Sequence, residues 1–486
     1  MSGEEKIPMP APEEVSRAVE HIVEEGLGKG TAAGKKRRQI RLLMLGGAAV
    51  MALVLLVGIP LFRKSAAKVN YPGVETVQAV RPVSLVKLSS EEDLHSYNKH
   101  NAWWNAQAKL TDPAYALQEG MRPYYERLMK VMLTGQEDNA VCSPLNIYMA
   151  LAMLAEVTDG NTRQQILDAL CAPDVETLRE NAALLWKSNY TDSFQLQSLL
   201  ADSYWLSSTL DYNKSTLQTL AERYYADSFI GTPGSDAMNK ALQKWTDENT
   251  GGLLSEQTKE MKMDRNAVLA LVSTIFFKAM WEDPFWKTDN RQEVFHGAKD
   301  DTEVEMMHGE KDADWYEGEC FESVGLPLTD SGFVYICLPK EGADAAALAA
   351  DPELLDMIKR NEQGKHEPRG KVILTLPKFR VEGQTDLMKI LPALGITDVT
   401  DQTLADFTPL MAKKEEAAGL SLGKAQHAAM VEIDEDGIVG AAYTYLEVLA
   451  AYTEPNHALI VDRPFLFLVT GQDNSILFAG VVNHIE

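Results

Sequence analysis

One stretch near the C-terminus constrains the fold more than any other: VEIDEDGIVGAAYTYLEVLAAYTEPNHALIVDRP at 431–464. It begins with the alternating pattern of a strand, VEID, and the strand ends at the turn dipeptide Asp436-Gly437. Residues 438–451 are then mostly small, β-branched or aromatic, without proline and with a single charge, Glu447. Surface loops are normally polar and rich in turn residues. This segment is instead typical of a strand without a partner, which can add to an open sheet; an ordinary edge strand is the alternative.

The segments around this stretch, together with three earlier blocks, resemble one protein family. LGKAQHAAMVEIDEDG (422–437) and DRPFLFLVTGQDNSILFAGVVN (462–483) are similar to the signature region of the serpins, the serine protease inhibitors. CSPLNIYMALAMLAEVT (142–158), ALVSTIFFKAMWEDPF (270–285) and LPKFRVEGQTDLMKILPALGI (376–396) stand in the family's order. The resemblance covers about the last three quarters of the chain.

The resemblance implies an α+β fold with a helical N-terminal half, a large mixed main sheet of five strands and two smaller sheets. It also implies a mobile reactive loop, here from Gly437 to about Asn456. A target serine protease would cut this loop and form a covalent acyl complex, and the cut loop would enter the main sheet as a new strand. No residue of such an inhibitor is catalytic, so the chain is not expected to be an enzyme.

An inserting loop needs uncharged side chains wherever the new strand faces the core. The predicted hinge comprises Gly437, Ile438, Val439, Gly440, Ala441, Ala442, Tyr443 and Thr444. The inward positions would be Ile438, Gly440, Ala442 and Thr444, and all four are uncharged. The family usually has threonine where Ile438 stands and glutamate where Val439 stands. These departures keep a second interpretation open, a non-inhibitory serpin-like binding or scaffold protein at the cell surface.

The scissile bond is predicted between Ala451 and Tyr452, at the family's spacing from Gly437. Counting back from Pro464 points nearer to Thr453, because this loop is slightly longer than the family norm. We prefer the first count because the hinge side fixes how far the protease is carried. Small residues before the bond favour elastase-like or subtilisin-like targets. A cut after the tyrosine would indicate a chymotrypsin-like target instead.

Polar residues of the family's shutter and breach regions also have counterparts. His427 matches the shutter histidine, which would hydrogen-bond across the centre of the main sheet, and Ser143 matches a serine on the adjoining helix. Asn146 stands where a serine is common and Ser273 where an asparagine is common, so we expect the network to persist with its partners exchanged. Trp281 matches a buried tryptophan. The alternative for a lone histidine in an apolar strand is an ordinary core residue.

A membrane anchor is predicted near the N-terminus. The uncharged run at 42–62 has 21 residues, about the length that spans a bilayer, and follows the basic segment KKRRQIR at 35–41. A cleaved signal peptide would have a shorter apolar core, although Ser65-Ala66-Ala67 resembles a weak cleavage site. The basic flank indicates a cytoplasmic N-terminus. The predicted protein is thus a bacterial-type, membrane-anchored member of the family.

The chain accordingly divides into four predicted parts. A polar and basic cytoplasmic tail at 1–41 precedes the transmembrane helix at 42–62, a linker follows at 63–111, and the serpin domain at 112–486 lies outside the cell. The net charge of −25 argues against a nucleic-acid surface. We expect a monomer whose partners are the target protease and the membrane.

Regular elements follow from hydrophobic patterns. An amphipathic helix is predicted at 121–133 and a fully buried one at 147–157. A further helix, TRQQILDAL, is expected to be capped by Asn161 or Thr162. Residues rich in β-branched and aromatic side chains predict strands at 333–339, 371–377, 466–471 and 476–482, the last two forming a hairpin.

Rival chemistries are weaker. Gly419-Leu420-Ser421-Leu422-Gly423 matches the nucleophile elbow of hydrolases, and Asp462 and His484 follow in hydrolase order, but no buried strand precedes the serine. A partial calcium loop beginning at Glu432 fails because Tyr443 stands where a glutamate is required. No metal or cofactor is therefore predicted. The spacings of the cysteines fit no zinc site, and we expect free thiols at Cys142, Cys171, Cys320 and Cys337.

Overall fold

A computed structural model describes residues 71–81, 88, 93, 96–193, 195–252, 258–259, 261–359, 366–438 and 455–485. The chain divides into two units, residues 1–70 and 71–486, and every described residue belongs to the second. The predicted tail at 1–41 and the predicted transmembrane helix at 42–62 therefore lie outside the described residues. In the part that the structure describes, no helix is long and apolar enough to cross a bilayer.

The α-helices concentrate before residue 250, as the sequence predicts. They are α1 (Tyr97–Tyr115), α2 (Gln118–Leu133), α3 (Pro144–Glu156), α4 (Gly160–Ala169), α5 (Val175–Asn189), α6 (Lys214–Arg223), α7 (Asp236–Asn249) and α8 (Glu353–Asp356). Helices α2 and α3 confirm the two helices predicted first, and every residue of α3 is buried. Helix α4 begins earlier in the chain than expected. Its N-cap residue is Asp159, and not Asn161 or Thr162.

The strands of the described residues are β1 (Glu75–Val77), β2 (Ala140–Cys142), β3 (Thr191–Asp192), β4 (Leu196–Ser207), β5 (Ala226–Gly231), β6 (Leu269–Met280), β7 (Arg291–His296), β8 (Asp301–Glu317), β9 (Phe321–Pro327), β10 (Phe333–Pro339), β11 (His366–Pro377), β12 (Phe379–Asp386), β13 (Gln426–Ile433), β14 (Gly437–Ile438), β15 (His457–Ile460), β16 (Phe465–Thr470) and β17 (Ile476–Val482). Short 3-10 turns lie at Lys287–Asp289, Ala346–Ala350, Met357–Lys359, Leu387–Lys389, Leu391–Leu394, Asp398–Thr400, Thr408–Leu410 and Lys414–Ala417. The four predicted strands correspond to β10, β11, β16 and β17, and the last two pair as the expected hairpin.

The main sheet has the strand order β1-β5-β4-β6-β14-β13-β12, with β3 paired to β4. It is mixed, because β4 and β5 run parallel while the other ladders are antiparallel. The five strands expected for this sheet correspond to its five long strands, β4, β5, β6, β12 and β13. Three short strands bring the sheet to eight among the described residues, because segments on either side of the core strands add to it.

The two smaller sheets expected from the resemblance are instead one sheet of nine strands in the described residues. Its order is β15-β11-β8-β9-β10-β16-β17-β2, with β7 paired to β8. The reason is the length of β8, which has 17 residues. The first part of β8 pairs with β7, its last residues pair with β9, and β11 pairs with most of the remaining length. Strand β8 therefore joins into one sheet the strands that were expected to form two sheets.

Apolar side chains cover both faces of the main sheet. Helix α3 contacts β6 of the main sheet and β17 of the second sheet, so it lies in the larger core between them. A smaller core on the opposite face packs α7 against the sheet through Trp205, Phe229 and Trp245. The two buried cysteines, Cys142 and Cys337, belong to the larger core, and all four cysteines are free thiols, as expected.

The predicted linker at 63–111 contains folded structure that belongs to the compact unit. Strand β1 extends the main sheet by pairing Glu75 with Ile230 of β5, and Tyr71 is buried in the smaller core. Helix α1 donates a hydrogen bond from the Gln107 side chain to the carbonyl of Ser188 in α5. The described residues of this predicted linker therefore lie in the compact unit that begins at Tyr71, because short elements with few apolar residues still add to an existing sheet edge and helix layer.

Candidate functional site

A tight turn links β13 to β14 and begins the predicted hinge. The Asp434 side chain closes this turn, because its Oδ1 accepts hydrogen bonds from the main-chain N–H of Asp436 at 2.9 Å and of Gly437 at 3.1 Å. Gly437 has a φ of +145°, and a Cβ on it would lie 2.2 Å from the carbonyl oxygen of Ala279. Glycine is the residue that tolerates both this conformation and this approach.

Strand β14 lies between β6 and β13. On one side Gly437 pairs with Met280 and Ile438 pairs with Ala279, and on the other side Ile438 pairs with Ile433, all antiparallel. The Ile438 side chain is 2% exposed, so it already belongs to the core. The first two residues of the predicted loop are thus part of the main sheet.

The other predicted loop positions lie outside the described residues: Val439, Gly440, Ala441, Ala442, Tyr443, Thr444 and the scissile pair Ala451 and Tyr452.

We define the seam as the boundary between β6 and β13, with β14 at its upper end. At its lower end one isolated parallel bridge joins Leu271 to Ala425. No other pairing between β6 and β13 occurs among the described residues. Beside this lower end is a small cavity of about 20 Å3 that includes Asn146, Ser273 and His427 in its lining. Among the described residues, the two long strands that flank the seam are therefore joined directly by a single backbone bridge.

The His427 side chain hydrogen-bonds to the N-cap residue of the helix below the sheet, while its main chain pairs with Thr385 of β12. Its Nε2 accepts a hydrogen bond of 2.9 Å from the main-chain N–H of Ser143, so the ring hydrogen lies on Nδ1. Ser143 is the N-cap residue of α3, and its Oγ accepts from the N–H of Asn146 at 3.4 Å. Burial lowers the pKa of His427 to about 4, so the imidazole is neutral at physiological pH. The predicted bond across the sheet is a bond from sheet to helix.

The exchange of partners expected for Asn146 and Ser273 is not what the structure contains. The Ser273 hydroxyl donates to the main-chain carbonyl of Asn146 at 3.3 Å, and the Asn146 side chain takes no part. Both polar atoms of that buried amide are without a hydrogen-bond partner among the described residues. The two substituted residues are neighbours, as predicted, but a main-chain contact replaces the expected side-chain contact, and a buried amide remains unsatisfied.

A buried carboxylate that the sequence analysis missed lies next to this group. Asp202 of β4 pairs with Ser273 of β6 in the ladder and is 1% exposed. Neither carboxylate oxygen has a hydrogen-bond partner in the described part of the chain. Burial raises the pKa of Asp202 to about 7, with the nearby Ser273 hydroxyl opposing the rise. The available signal was a single charged residue within the apolar run LLADSYWL.

The upper end of the seam is held by a dense polar network. Trp281 is buried, its indole N–H donates to the carbonyl of Asp434 at 2.9 Å, and its main-chain N–H donates to the carbonyl of Asp436 at 3.1 Å. Glu435 between them is buried and forms an ion pair of 3.1 Å with Lys378. The tryptophan was predicted from the sequence, but the ion pair was not, because its two members are far apart in the chain.

The hydrolase alternative finds no support in the geometry. Ser421 lies in a loop before β13 and not after a strand, and it lines an open cavity with Lys262, Arg265 and Lys424. Neither Asp462 nor His484 lines that cavity. The described residues that line the cavity include no histidine, so Ser421 lacks the imidazole base that the hydrolase interpretation requires.

The described residues thus form an α+β protein whose main sheet has a seam between two central strands, with the two-residue strand β14 at one end of that seam. Residues 125–485 match the sequence model of the family described as Serpin (serine protease inhibitor). The chain belongs to the serpin family.

Individual relatives are distant but cover most of the chain. The chain is 27% identical over 393 residues to neuroserpin of Homo sapiens, covering 77% of this chain and 92% of that protein. It is 27% identical over 372 residues to plasminogen activator inhibitor 1 of Mus musculus, covering 73% and 88%. The native-state crystal structure of tengpin, a thermophilic serpin, superposes with a TM-score of 0.68 at 23% identity, over 84% of this chain and 98% of that one. This last likeness shows the shared fold alone.

Proposed function

We propose that the chain inhibits serine proteases as a suicide substrate whose cleaved loop becomes a new strand in the main sheet. The observation that carries this proposal is the position of β14. Gly437 and Ile438 already pair with β6 and β13 at the upper end of the seam, antiparallel to both. A cleaved loop continuing from Ile438 would extend this pairing downward along the seam. The mammalian relative named as an inhibitor is consistent with such an activity.

The register of β14 defines where each loop residue would arrive. If both ladders continue without a bulge, Ala442 comes opposite Ile275 and Ala429, and Thr444 comes opposite Ser273 and His427. The side chains on the same face as Ile438 would point into the larger core. These are Gly440, Ala442 and Thr444, which are small and uncharged. The insertion that we propose therefore buries no charge on the core side.

The driving force is the pairing and burial that the seam lacks. A new central strand would hydrogen-bond to β6 and to β13 along its whole length, replacing a boundary that the described residues close with one bridge. A protease held on the loop as an acyl-enzyme would be carried with it. Inhibition would then depend on insertion being faster than hydrolysis of the acyl bond.

The expected targets have shallow specificity pockets. The proposed scissile bond, Ala451–Tyr452, follows two alanines, and neither lysine nor arginine lies between Gly437 and Asp462. We therefore propose elastase-like or subtilisin-like proteases as targets. Mass spectrometry of the released C-terminal fragment tests the bond. A fragment that begins at Thr453 would instead indicate a chymotrypsin-like target.

The mechanism is tested with the full chain and a panel of serine proteases. A covalent complex that survives SDS is expected with at least one elastase-like or subtilisin-like enzyme. Gly440→Pro removes a ladder donor and Ile438→Arg buries an unpaired charge, so both variants should be cleaved while complex formation falls strongly. Ile438→Val is the matched control and should form complex at the normal yield. Unchanged complex yield in both disruptive variants would rule out insertion of this loop.

The alternative function is binding or scaffolding without inhibition. The observation that favours it is Ile438, whose large apolar side chain is already buried in the sheet where the family usually has threonine. A hinge that is stably held in this position would not need to move farther. Cleavage by every protease of the panel without any covalent complex would support this alternative.

We further propose that the protein is a monomer anchored by residues 42–62, with residues 71–486 outside the cell. The support is the uncharged length of 42–62 and the basic segment before it. Protease added to intact cells should degrade the folded unit and spare an epitope within residues 1–41. Recovery of the whole protein from the cytoplasm in soluble form would refute the anchor.

A further inference from the structure

An open cavity of about 870 Å3 lies beside the lower end of the seam, and we call it the basal cavity. One wall is formed by residues 262–268, which lead into β6, and the other by residues 419–421, 423 and 424, which lead into β13. Gln402 and residues near the start of α7 complete the lining. A volume of this size is in the range of small-molecule sites. Its position matters because its two walls continue into the two strands that flank the seam.

Cationic side chains dominate the basal cavity. Lys262 and Arg265 lie on one wall and Lys424 lies on the other, and none of the three forms an ion pair among the described residues. The Lys424 ammonium donates to the carbonyl of Lys262 at 3.5 Å, which brings the two walls together. One carboxylate, Asp264, is in the described lining, and its Oδ1 accepts from the N–H of Asn266 at 2.7 Å. Three cations and one engaged carboxylate make a positive site on a chain of net charge −25.

Uncharged donors in the cavity are also without acceptors. Ser421 and Gly423 of the G-x-S-x-G segment line the cavity, and the described residues provide no acceptor for their main-chain N–H groups. The Ser421 hydroxyl and the Gln402 amide likewise have no partner among the described residues. Gly419 has a φ of +78°, which turns the chain around the cavity. Clustered N–H groups and cations with few competing acceptors are the pattern of an oxyanion site.

We propose that the basal cavity binds a compact multivalent oxyanion that carries phosphate or sulfate groups. The anion contacts Lys262 and Arg265 on one wall and Lys424 on the other, and the free N–H and hydroxyl donors complete its coordination. Because both walls lead into strands of the seam, the anion binds more tightly when β6 and β13 are close together. By linkage, occupancy of the cavity stabilises the closed seam. This inference does not require that the chain inhibit a protease.

Binding is measured by calorimetric titration of the full chain with sodium tripolyphosphate and, in a second arm, with sucrose octasulfate. The two arms distinguish phosphate from sulfate, and saturable binding in either arm is expected. The double variant Lys262→Gln/Lys424→Gln should bind at least tenfold more weakly. Lys214→Gln, which removes an exposed lysine of α6 outside the cavity, is the matched control and should bind normally. Affinity should also fall as sodium chloride is raised, because the contacts are charged.

Coupling to the seam is measured by hydrogen exchange of the same proteins. The anion should slow exchange of amides in β6 and β13 of the wild-type chain and leave exchange in the double variant unchanged. Absence of binding in both arms overturns the proposal, and so does equal affinity of wild type and double variant. Binding without slower exchange in β6 and β13 overturns the coupling. If the double variant does not fold, the single variants Arg265→Gln and Lys424→Gln replace it, each expected to weaken binding several-fold.

Discussion

Replacing Asp202 with asparagine should stabilise the native protein at neutral pH and not in acid. The Asp202 carboxylate is buried, has no hydrogen-bond partner among the described residues and has its pKa raised by burial to about 7. The unfolded chain releases this proton near pH 4, while the native chain keeps it until about pH 7. Native stability is therefore lost as the pH rises through this interval. Asparagine does not ionise, so the variant escapes that loss.

The magnitude follows from the two pKa values. The difference between an ordinary aspartate pKa of about 4 and a pKa of about 7 corresponds to roughly 4 kcal/mol at pH 8. The asparagine amide is itself buried, and an unsatisfied amide costs about 1–3 kcal/mol. The expected net gain for Asp202→Asn at pH 8 is therefore about 1–3 kcal/mol. At pH 3.5 the carboxyl is protonated in both states and the gain should disappear.

Urea unfolding at pH 3.5, 6 and 8 tests this expectation. His427 also titrates in this range, but it is present in both proteins, so its effect largely cancels from the difference between them. Asp192→Asn, at an exposed position of β3, is the matched control and should change stability little at any of the three pH values. The reasoning would be refuted by a gain of equal size at pH 3.5 and pH 8, or by no gain at pH 8.

Three further substitutions test other parts of the seam by the same urea titrations. Gly437→Ala should lower the free energy of unfolding by about 1–3 kcal/mol, because its Cβ meets the Ala279 carbonyl oxygen at 2.2 Å; an unchanged midpoint would contradict this contact. Burial lowers the pKa of His427 to about 4, so the native protein should lose stability as the pH falls below 6.5. His427→Gln should reduce this loss. Parallel curves of unfolding free energy against pH for the two proteins would refute the expectation. Glu435→Gln should cost about 1–2 kcal/mol by removing a partner of Lys378, and a neutral result would show that the pair contributes nothing.

The sequence predicts those elements whose side chains are uniform in character. FVYICLP is apolar throughout and forms β10 with the predicted bounds, and the block at 142–158 contains the wholly buried helix α3. The hairpin of β16 and β17 was predictable because a polar turn separates two apolar runs. In each case burial on all sides leaves little freedom in where an element begins and ends.

Long-range pairing was not predictable from one sequence. Nothing local marks 75–77 as a strand, since β1 exists only because the edge of β5 is available. The Glu435–Lys378 pair and the cations of the basal cavity are likewise brought together by the fold alone. The family resemblance located Asn146 and Ser273, but it did not predict that a main-chain carbonyl would replace an amide as the partner of the Ser273 hydroxyl.

The unsatisfied polar groups below the seam have an energetic meaning if the loop inserts as proposed. The Asn146 amide and the Asp202 carboxylate both lie next to Ser273, and each lacks a partner among the described residues. A buried unsatisfied amide destabilises the native state by about 1–3 kcal/mol, and the buried carboxylate by roughly 4 kcal/mol at pH 8. The register of β14 would bring the hydroxyl of Thr444 to the level of Ser273 and His427. After insertion, the Thr444 hydroxyl could donate to or accept from polar groups that have no partner in the native seam. Part of the free energy of insertion would then come from satisfying the Asn146 and Asp202 side chains, and the rest from the new backbone pairing.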